Sequence, residues 1–377
     1  MTSPFRPRVR AWGLVPGGLS TGPANGITDV AGVRVGHTTL IADEGPLSPG
    51  RGPVRTGVTV VLPHGGDLFA DKVRAAVHTI NGYGKVLGFE QVRELGVVES
   101  PIALTNTLNV GLVADGLVQH ALASHPSIGV TTSSVNVVVG ETNDGYLNDL
   151  QGRHVRAQHV LEAISGASAG RVAEGAVGAG TGTSCFGWKG GIGTASRVLP
   201  SEVGGFTIGA LVQTNFGRAE DLMIQGVPVG RHVKPPEHGA ESDAGDGSVM
   251  VVLATDAPMS ARQIGRLCVR AGAGLTRTGA VHAHGSGDFV IGFSTAEPVP
   301  HSPERVVGPR VSLIDEGEAM RWLFPAVVES VEEAVLNALW RAETVVGRDG
   351  HSRCALPLDE VRAVLAQYGR VRLAGED

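Results

Sequence analysis

Ser248 stands where a polar stretch containing glycine meets an apolar one. The preceding segment ends in Gly245, Asp246 and Gly247, and the six residues that follow the serine, VMVVLA, are apolar without interruption. Glycine gives the backbone freedom without steric cost, whereas a continuous apolar run of this length is typical of a strand buried on both faces. The pattern allows two interpretations, a plain boundary between loop and strand or a peptide bond that the serine itself attacks.

The second interpretation has a definite chemistry. The Ser248 hydroxyl can attack the Gly247 carbonyl and shift the acyl group from nitrogen to oxygen, and hydrolysis of the ester then leaves Ser248 as a new amino terminus. An α-amine has a pKa of about 7.7–8.0, so it can act as general base for the hydroxyl of its own residue. Such a site needs no histidine.

A polar cluster follows a second apolar run, VNVVVG at 135–140. Glu141, Asp144 and Tyr146 lie in this cluster, where α/β proteins often place groups that bind ligands. The Asn-Asp-Gly within it is also a strong turn signal. Ligand binding and turn formation both remain open for these residues at this point.

Three other motifs carry weaker signals. The glycine-rich segment 174–197 has no Ser or Thr after Lys189, so we expect a turn or the wall of a pocket rather than a phosphate loop. His282 and His284 could share one face of a strand, but no third metal ligand stands at a recognisable spacing, and we expect ordinary loop residues. The stretch HGSGD at 284–288 lacks the last glycine of a nucleophile elbow.

Composition excludes several classes of protein. Of 377 residues, 42% are apolar and 18% charged, which is typical of a soluble globular protein, and no apolar run approaches the roughly 18 residues of a membrane span. A net charge of −6 and 4% aromatic residues disfavour nucleic-acid binding. The amino terminus does not resemble a secretory signal, so we expect a cytoplasmic location. Three distant cysteines argue against a disulfide framework and a zinc site.

The elements that must position these residues come in mixed order. Strands are predicted at 57–62, 102–105, 135–140, 206–213, 249–254 and 289–294, and helices at 108–123, 155–165 and 357–368. We also predict a hairpin within 22–41, a helix within 67–80, and helices that begin at Pro258 and Ser330. The mixed order favours a layered α/β sandwich, and 232–247 is the one segment that reads as a linker.

Eight segments between about residues 22 and 296 resemble, in the same order, the motifs of the DmpA-like aminopeptidases. They are GPANGITDVAGVRVGH, INGYGKVLG, TNTLNVG, GETNDGYLND, GTGTSCFGWKGGIGTASR, LVQTNFG, GSVMVVLATDAP and HGSGDFVIGFST. The family comprises L-aminopeptidase/D-amidase/esterases and β-peptidyl aminopeptidases, with nylon-oligomer hydrolases and ornithine acetyltransferases as more distant relatives. The resemblance implies a single αββα sandwich over 1–377, made as a precursor that cuts itself into two chains which stay together.

The resemblance also implies roles for individual residues. Ser248 would be the nucleophile, released by scission of the Gly247–Ser248 bond into chains 1–247 and 248–377. Ser286 and Asp288 match the family's serine and acidic partner near the nucleophile, although some relatives carry Glu at the second position. Asn215 matches the amide of the oxyanion hole.

The polar cluster after 135–140 would then belong to the substrate site. Tyr146 matches a pocket tyrosine close to the nucleophile, and Glu141 would bind the ammonium group of the substrate. Asp144 is the second candidate for substrate binding. The distant relatives use Thr as nucleophile where this chain has Ser248, which favours the aminopeptidase branch.

We therefore expect a self-processing serine aminopeptidase that releases N-terminal residues from short peptides, amino-acid amides or esters, with no metal or organic cofactor. An ω-amide hydrolase or acyltransferase is the alternative among enzymes. A binding protein that keeps the fold uncut is the alternative from another class. The resemblance further implies a homo-oligomer, a tetramer of processed units.

Overall fold

The computed structural model describes residues 6–236 and 247–371, so most of the predicted linker 232–247 lies outside the described residues. The strands within the described ranges are β1 (Arg34–Ala42), β2 (Val54–Leu62), β3 (Asp71–Gly82), β4 (Val97–Val98), β5 (Ile102–Asn106), β6 (Val138–Thr142), β7 (Ser184–Cys185), β8 (Trp188–Lys189), β9 (Ile192–Val198), β10 (Thr207–Asn215), β11 (Ser248–Thr255), β12 (Gly287–Pro300), β13 (Val345–Val346) and β14 (Ser352–Arg353). The α-helices there are α1 (Phe89–Leu95), α2 (Val110–Ser124), α3 (Ala157–Ser165), α4 (Ala261–Arg277), α5 (Glu316–Arg341) and α6 (Leu358–Gln367).

Two sheets form the centre of the fold. The smaller has the strand order β1-β2-β5-β6, and the larger has the order β4-β3-β12-β11-β10-β9. Most neighbours are antiparallel, but β5 and β6 are parallel, as are β11 and β12. Strand β11 therefore lies inside the larger sheet, with β10 on one side and β12 on the other.

The strand after Ser248 shows why its sequence is apolar without a break. Met250, Val252 and Ala254 face the smaller sheet, where they pack in one core. Val249 and Val251 face the opposite side and pack in the core beneath α4 and α5. Because successive side chains of a strand point to opposite faces, a strand covered on both sides needs apolar residues at every position.

The outer faces of both sheets are covered by helices. Val58 and Val60 of the smaller sheet pack against Val113 and Leu117 of α2 and Val160 of α3. The larger sheet packs against α4 and α5 through a separate core. The resulting order of layers is helix, sheet, sheet, helix, and the predicted αββα sandwich is confirmed.

Several predicted elements are wrong in type or in extent. The helix predicted within 67–80 is strand β3, because Val73, Ala75 and Val77 have the spacing of one strand face as well as an approximate helical spacing. The predicted hairpin at 22–41 contains only β1, which pairs with β2. The helix predicted from Pro258 begins at Ala261, with Ser260 as its N-cap.

Ser330 is not the start of a helix. It is fully buried in the middle of α5, which begins fourteen residues earlier with Asp315 as N-cap, the Asp315 side chain accepting the Glu318 N–H. The spacing of a capping box therefore occurs here inside a continuous helix. Among the described residues, no helix is both long and apolar enough to cross a lipid bilayer.

Candidate active site

Ser248 is the first residue of β11 and is 5% exposed. On one side it pairs with Asn215, the last residue of β10, and on the other with Gly287, the first residue of β12. The ends of three adjacent strands therefore meet at the serine. This arrangement brings together four predicted site residues from three separate motifs: Ser248, Asn215, Ser286 and Asp288.

The smaller sheet closes over the serine because Gly140 allows a close approach. A Cβ on Gly140 would lie 2.2 Å from Cε of Met250, so any larger residue would displace the Met250 side chain that packs between β6 and β11. The turn after β6 consequently lies above Ser248, and the backbone N–H of Asn143 donates to Ser248 Oγ at 3.3 Å. The sequence patterns did not single out this donor, because any residue type can supply a backbone N–H.

Asn215 is held by its side-chain oxygen. Asn215 Oδ1 accepts the backbone N–H of Ser184 at 2.9 Å. The amide nitrogen therefore points away from Ser184, and its two N–H groups remain as donors toward the cavity that Asn215 lines. A donor fixed in this way beside Ser248, the predicted nucleophile, can stabilise an oxyanion.

Asp288 is buried and is contacted from two sides. Its Oδ1 accepts the Ser286 hydroxyl at 2.5 Å, and its Oδ2 lies 2.6 Å from Nδ1 of His282. The predicted pair Ser286 and Asp288 is thus joined directly, and His282 is a third member. His282 was expected to be an ordinary loop residue, and nothing in its spacing signalled the contact.

The Gly247 backbone is tightly enclosed at the predicted scissile bond. Its carbonyl oxygen accepts the Gly287 N–H at 3.1 Å, which polarises the carbonyl. A Cβ at Gly247 would lie 2.3 Å from the backbone oxygen of Asn215, so no other residue fits without movement.

The carboxyl group of Glu141 is buried close to the start of β12. Its Oε1 accepts the Lys85 N–H at 2.9 Å, and its Oε2 accepts the Thr107 hydroxyl. Burial raises the pKa of the Glu141 carboxyl, against the hydrogen bonds from Thr107 and Lys85, which lower it. A Cβ on Gly84 would be 3.2 Å from Glu141 Oε1 and 3.1 Å from Cα of Gly287, so the carboxyl lies near the strand that flanks the serine.

Asp144 and Tyr146 occupy different environments although both belong to the same turn. Asp144 is fully buried, accepting the Thr56 hydroxyl at 2.5 Å and the Asn148 amide at 3.0 Å, and burial raises the pKa of its carboxyl to about 7. Neither Asp144 nor Glu141 lines the cavity, and the contacts of Asp144 with Thr56 and Asn148 support the turn interpretation for Asp144. Tyr146 lines the cavity.

Two residues near the carboxyl end hold the Tyr146 ring. His351 stacks on it with ring centroids 4.6 Å apart, and the Arg353 guanidinium lies 3.7 Å from its centroid. Arg353 Nε also donates to Ser184 Oγ at 2.9 Å. The tyrosine and the loop that holds Asn215 are thus connected through one arginine, a link between segments far apart in sequence.

Lys189 is buried in the glycine-rich segment, and its ammonium group donates to backbone carbonyl oxygens. Its Nζ donates to the carbonyl oxygens of Gly180, Thr183 and Gly190 at 2.9, 2.7 and 2.8 Å. Burial lowers the pKa of the Lys189 ammonium to about 7. The lysine thereby fixes the backbone up to Thr183, and the next residue, Ser184, holds Asn215. Ser184 also lines the cavity, as expected for a segment that forms a pocket wall.

A cavity of about 460 Å³ opens at Asn143 and Asn215, the residues that contact and pair with Ser248. Its lining residues are Leu47, Pro49, Asn143, Gly145, Tyr146, Asn148, Asp149, Leu150, Gln151, Ser184, Asn215 and Arg348. The volume suits a dipeptide-sized ligand, and polar groups from the turn after β6 converge on it. Within residues 6–236 and 247–371, no three His, Cys, Asp or Glu side chains are grouped so as to hold a metal ion.

Comparisons with known proteins agree with this geometry. A model of peptidase family S58 matches residues 25–353. The chain is 42% identical over 383 aligned residues to the beta-peptidyl aminopeptidase BapA of Sphingosinicella microcystinivorans, covering 98% of this chain and 94% of the relative.

Two solved structures superpose on nearly the whole chain. The PH0078 protein of Pyrococcus horikoshii OT3 has a TM-score of 0.90 at 47% identity, over 97% of this chain and 100% of that one. The L-aminopeptidase D-Ala-esterase/amidase of Ochrobactrum anthropi, described as a prototype for the serine aminopeptidases with a variant of the Ntn hydrolase fold, has a TM-score of 0.88 at 40% identity, over 97% and 100%.

Proposed function

The chain belongs to peptidase family S58, and from that premise we propose that it is a self-processing serine aminopeptidase with Ser248 as its nucleophile. The observation that carries the proposal is the meeting of three strand ends at Ser248, with Asn215 and Gly287 as its partners and the Asn143 N–H on its hydroxyl. These groups supply a nucleophile and fixed donors around one carbonyl position.

Processing begins with the bond between Gly247 and Ser248. Ser248 Oγ attacks the Gly247 carbonyl carbon, which the Gly287 N–H polarises, and its proton passes to the departing nitrogen as the C–N bond breaks. The product is an ester between the Gly247 carboxyl and Ser248 Oγ. Water then hydrolyses the ester, which frees the carboxylate of Gly247 and the hydroxyl of Ser248, whose α-amine was already released in the first step.

The two chains remain together because their strands alternate in one sheet. In the larger sheet, β11 and β12 come from the segment after the cut, while β10 and β3 on either side come from the segment before it. Cutting at Gly247 removes none of these pairings. We therefore propose chains 1–247 and 248–377, of 247 and 130 residues (377 − 247), that stay associated.

Turnover uses the new α-amine as general base. The amine removes the proton of Ser248 Oγ as the oxygen attacks the substrate carbonyl, and the Asn215 amide donates to the resulting oxyanion. The leaving amine takes the proton, and water releases the acyl group in a second cycle. Ser286 directly precedes Gly287, the strand residue paired with Ser248, and its hydroxyl, already donating to Asp288, can accept a hydrogen bond from the α-amine.

The substrate is held by its free amino group. We assign Glu141 to the substrate's ammonium, since a buried carboxylate close to β12 gains most from a cationic partner, and Tyr146 to the side of the cavity. One relative is named a beta-peptidyl aminopeptidase and a solved neighbour an L-aminopeptidase D-Ala-esterase/amidase. We propose short peptides and amides with amino-terminal β- or α-amino residues as substrates.

Two measurements on one pair of proteins test this function. The wild-type chain should give two species by denaturing gel and intact mass and should hydrolyse at least one of L-alanine, D-alanine and β-alanine amides. Ser248→Ala should remain a single species without hydrolysis. An uncut and inactive wild-type chain would favour the binding protein, and an active Ser248→Ala would assign the nucleophile elsewhere.

A further inference from the structure

His282, whose side chain is 19% exposed, forms one end of a chain of three polar groups in which Asp288 and Ser286 are buried. Its Nδ1 lies 2.6 Å from Oδ2 of Asp288, and the other carboxylate oxygen, Oδ1, accepts the Ser286 hydroxyl at 2.5 Å. In the arrangement where Asp288 accepts on both oxygens, Nδ1 carries the hydrogen and donates it. The two donors fix both oxygens of Asp288 and so fix the plane of its carboxylate.

The backbone of His282 adopts a conformation that is uncommon for residues other than glycine. Its φ is +52°, in the left-handed region that side chains with a Cβ rarely adopt. The surrounding loop is fixed by Asn81, whose amide donates to the carbonyl oxygens of Ala283, His284 and Ser286. The strain is therefore held in place at the residue that contacts Asp288.

Little free space borders this contact. The void lined by residues that include His282, Ser286 and Asp288 measures about 10 Å³, and Phe216 and Val249 also line it. A void of that size holds a single water at most. The imidazole is the second donor to the carboxylate in this structure.

From these contacts we propose that His282 is a positioning residue for the reaction at Ser248, orienting Asp288 so that the Ser286 oxygen presents its lone pairs toward the nucleophile's α-amine. With its proton committed to Asp288, Ser286 Oγ can act only as an acceptor toward the amine. An Asp288 carboxylate free to rotate would let the Ser286 hydroxyl turn away. This inference rests on the proposed function of Ser248.

The test compares two substitutions that both tolerate the left-handed backbone at position 282, only one of which keeps a hydrogen-bond donor. In His282→Asn, the amide Nδ2 takes the place of Nδ1 and asparagine tolerates the left-handed backbone. In His282→Gly, the donor is lost while the backbone strain is relieved. His284→Gln is the matched control, because His284 lies in the same loop and its imidazole faces the Tyr83 ring, 6.1 Å between centroids, rather than Asp288.

We expect His282→Gly to lower kcat for an amino-acid amide about 10- to 100-fold with little change in KM, since a misplaced catalytic group lowers the rate of chemistry rather than binding. His282→Asn should recover most of that loss, and His284→Gln should leave kcat at the wild-type value. Thermal unfolding of His282→Gly should stay close to that of the wild type. All variants are first checked by mass for chain scission, and kinetics are measured on the cut form.

Two outcomes would overturn the inference. A His282→Gly variant with wild-type kcat would show that the contact does not serve the reaction. If kcat falls but His282→Asn does not recover it, or if the melting temperature falls strongly as well, His282 serves the structure of the loop instead. Ser248→Ala, assayed alongside, separates this failure from that of the proposed function. If Ser248→Ala is inactive while His282→Gly matches wild type, the nucleophile stands and the positioning role falls.

Discussion

Asn215 and Ser248 are paired residues at the ends of two antiparallel strands, β10 and β11, and the Asn215 amide is fixed by the Ser184 N–H. The two residues are separated in sequence by the segment that contains the proposed cut. Pairing in the sheet therefore fixes the distance between the proposed nucleophile and the proposed oxyanion donor, and the proposed cut leaves this pairing in place.

Asn215→Asp should remove the oxyanion donor while keeping the shape of the side chain. Asp can still accept the Ser184 N–H, but it offers a carboxylate oxygen where the amide N–H was. We expect kcat to fall about 10²- to 10³-fold or more, the usual effect of losing one oxyanion donor, with a smaller change in KM. Steady-state kinetics on an amino-acid amide measure this, and a wild-type kcat would place the oxyanion elsewhere.

Gly247→Ala should block chain scission. The added Cβ would lie 2.3 Å from the Asn215 carbonyl oxygen and 2.6 Å from Cα of Phe216, so the peptide must move out of line with Ser248 Oγ. Intact mass after prolonged incubation should show the uncut chain. Gly111→Ala is the control, because a Cβ there meets nothing within 4 Å and scission should proceed. Complete scission of Gly247→Ala would contradict the geometry.

Glu141→Gln should weaken binding of substrates that carry a free amino group. Gln keeps an acceptor for the Lys85 N–H but has no charge to offer an ammonium. A hydrogen bond to a charged group contributes about 1.5–3 kcal/mol, so KM should rise about tenfold or more. The comparison is an otherwise identical amide that lacks the amino group, whose KM should not change. An equal effect on both substrates would contradict the assignment.

Asp144→Asn should make the free energy of unfolding depend less on pH than it does in the wild type. Burial raises the pKa of the folded carboxyl to about 7, above the ordinary aspartate value of 3.8 that the unfolded chain should show. Between these values the folded state holds a proton that the unfolded chain has lost. Asp144 therefore adds stability in full below about pH 4, and this stability declines as pH rises toward 7, by at most about 1.4 kcal/mol per pH unit.

Urea unfolding between pH 4 and 7 checks this prediction. The difference in unfolding free energy between Asp144→Asn and wild type should shift in favour of the variant as pH rises. Asp115→Asn, at an exposed position on α2, serves as control and should show a pH dependence parallel to wild type. A constant difference between Asp144→Asn and wild type across the range would mean that Asp144 is ionised throughout.

Lys189→Met should lower both stability and kcat. It leaves the carbonyl oxygens of Gly180, Thr183 and Gly190 without their donor in a buried site, each at a cost of about 1–3 kcal/mol. The loop that carries Ser184 then loosens, and Asn215 with it. Lys234→Met, at an exposed lysine, is the control. Unfolding by denaturant measures the first effect, and an unchanged kcat in folded Lys189→Met would separate the loop from catalysis.

Local sequence determined the strand that carries Ser248, five other strands (β2, β5, β6, β10 and β12) and five helices (α2 to α6), but it did not predict β9, α1 or the two-residue strands. A strand buried on both faces requires apolar residues at every position, so VMVVLA could be recognised without knowledge of its neighbours. The ordered motifs also specified Ser248, Ser286, Asp288, Asn215 and Tyr146 as candidates. Ambiguity remained where one spacing satisfied two periods, as in β3, where Val73 and Val77 fit both a helix and a strand.

Only the tertiary structure decided which groups contact one another. The Asn143 N–H, the His282 imidazole and the Lys189 ammonium reach their partners through sheet pairing and loop packing, which join residues that no local pattern relates. Both Asp144 and Glu141 are buried, and only their contacts distinguish them: Asp144 accepts the Thr56 hydroxyl and the Asn148 amide, whereas Glu141 accepts the Lys85 N–H near the start of β12. The chemistry was readable from residue types, but orientation and burial arise from contacts across the whole fold.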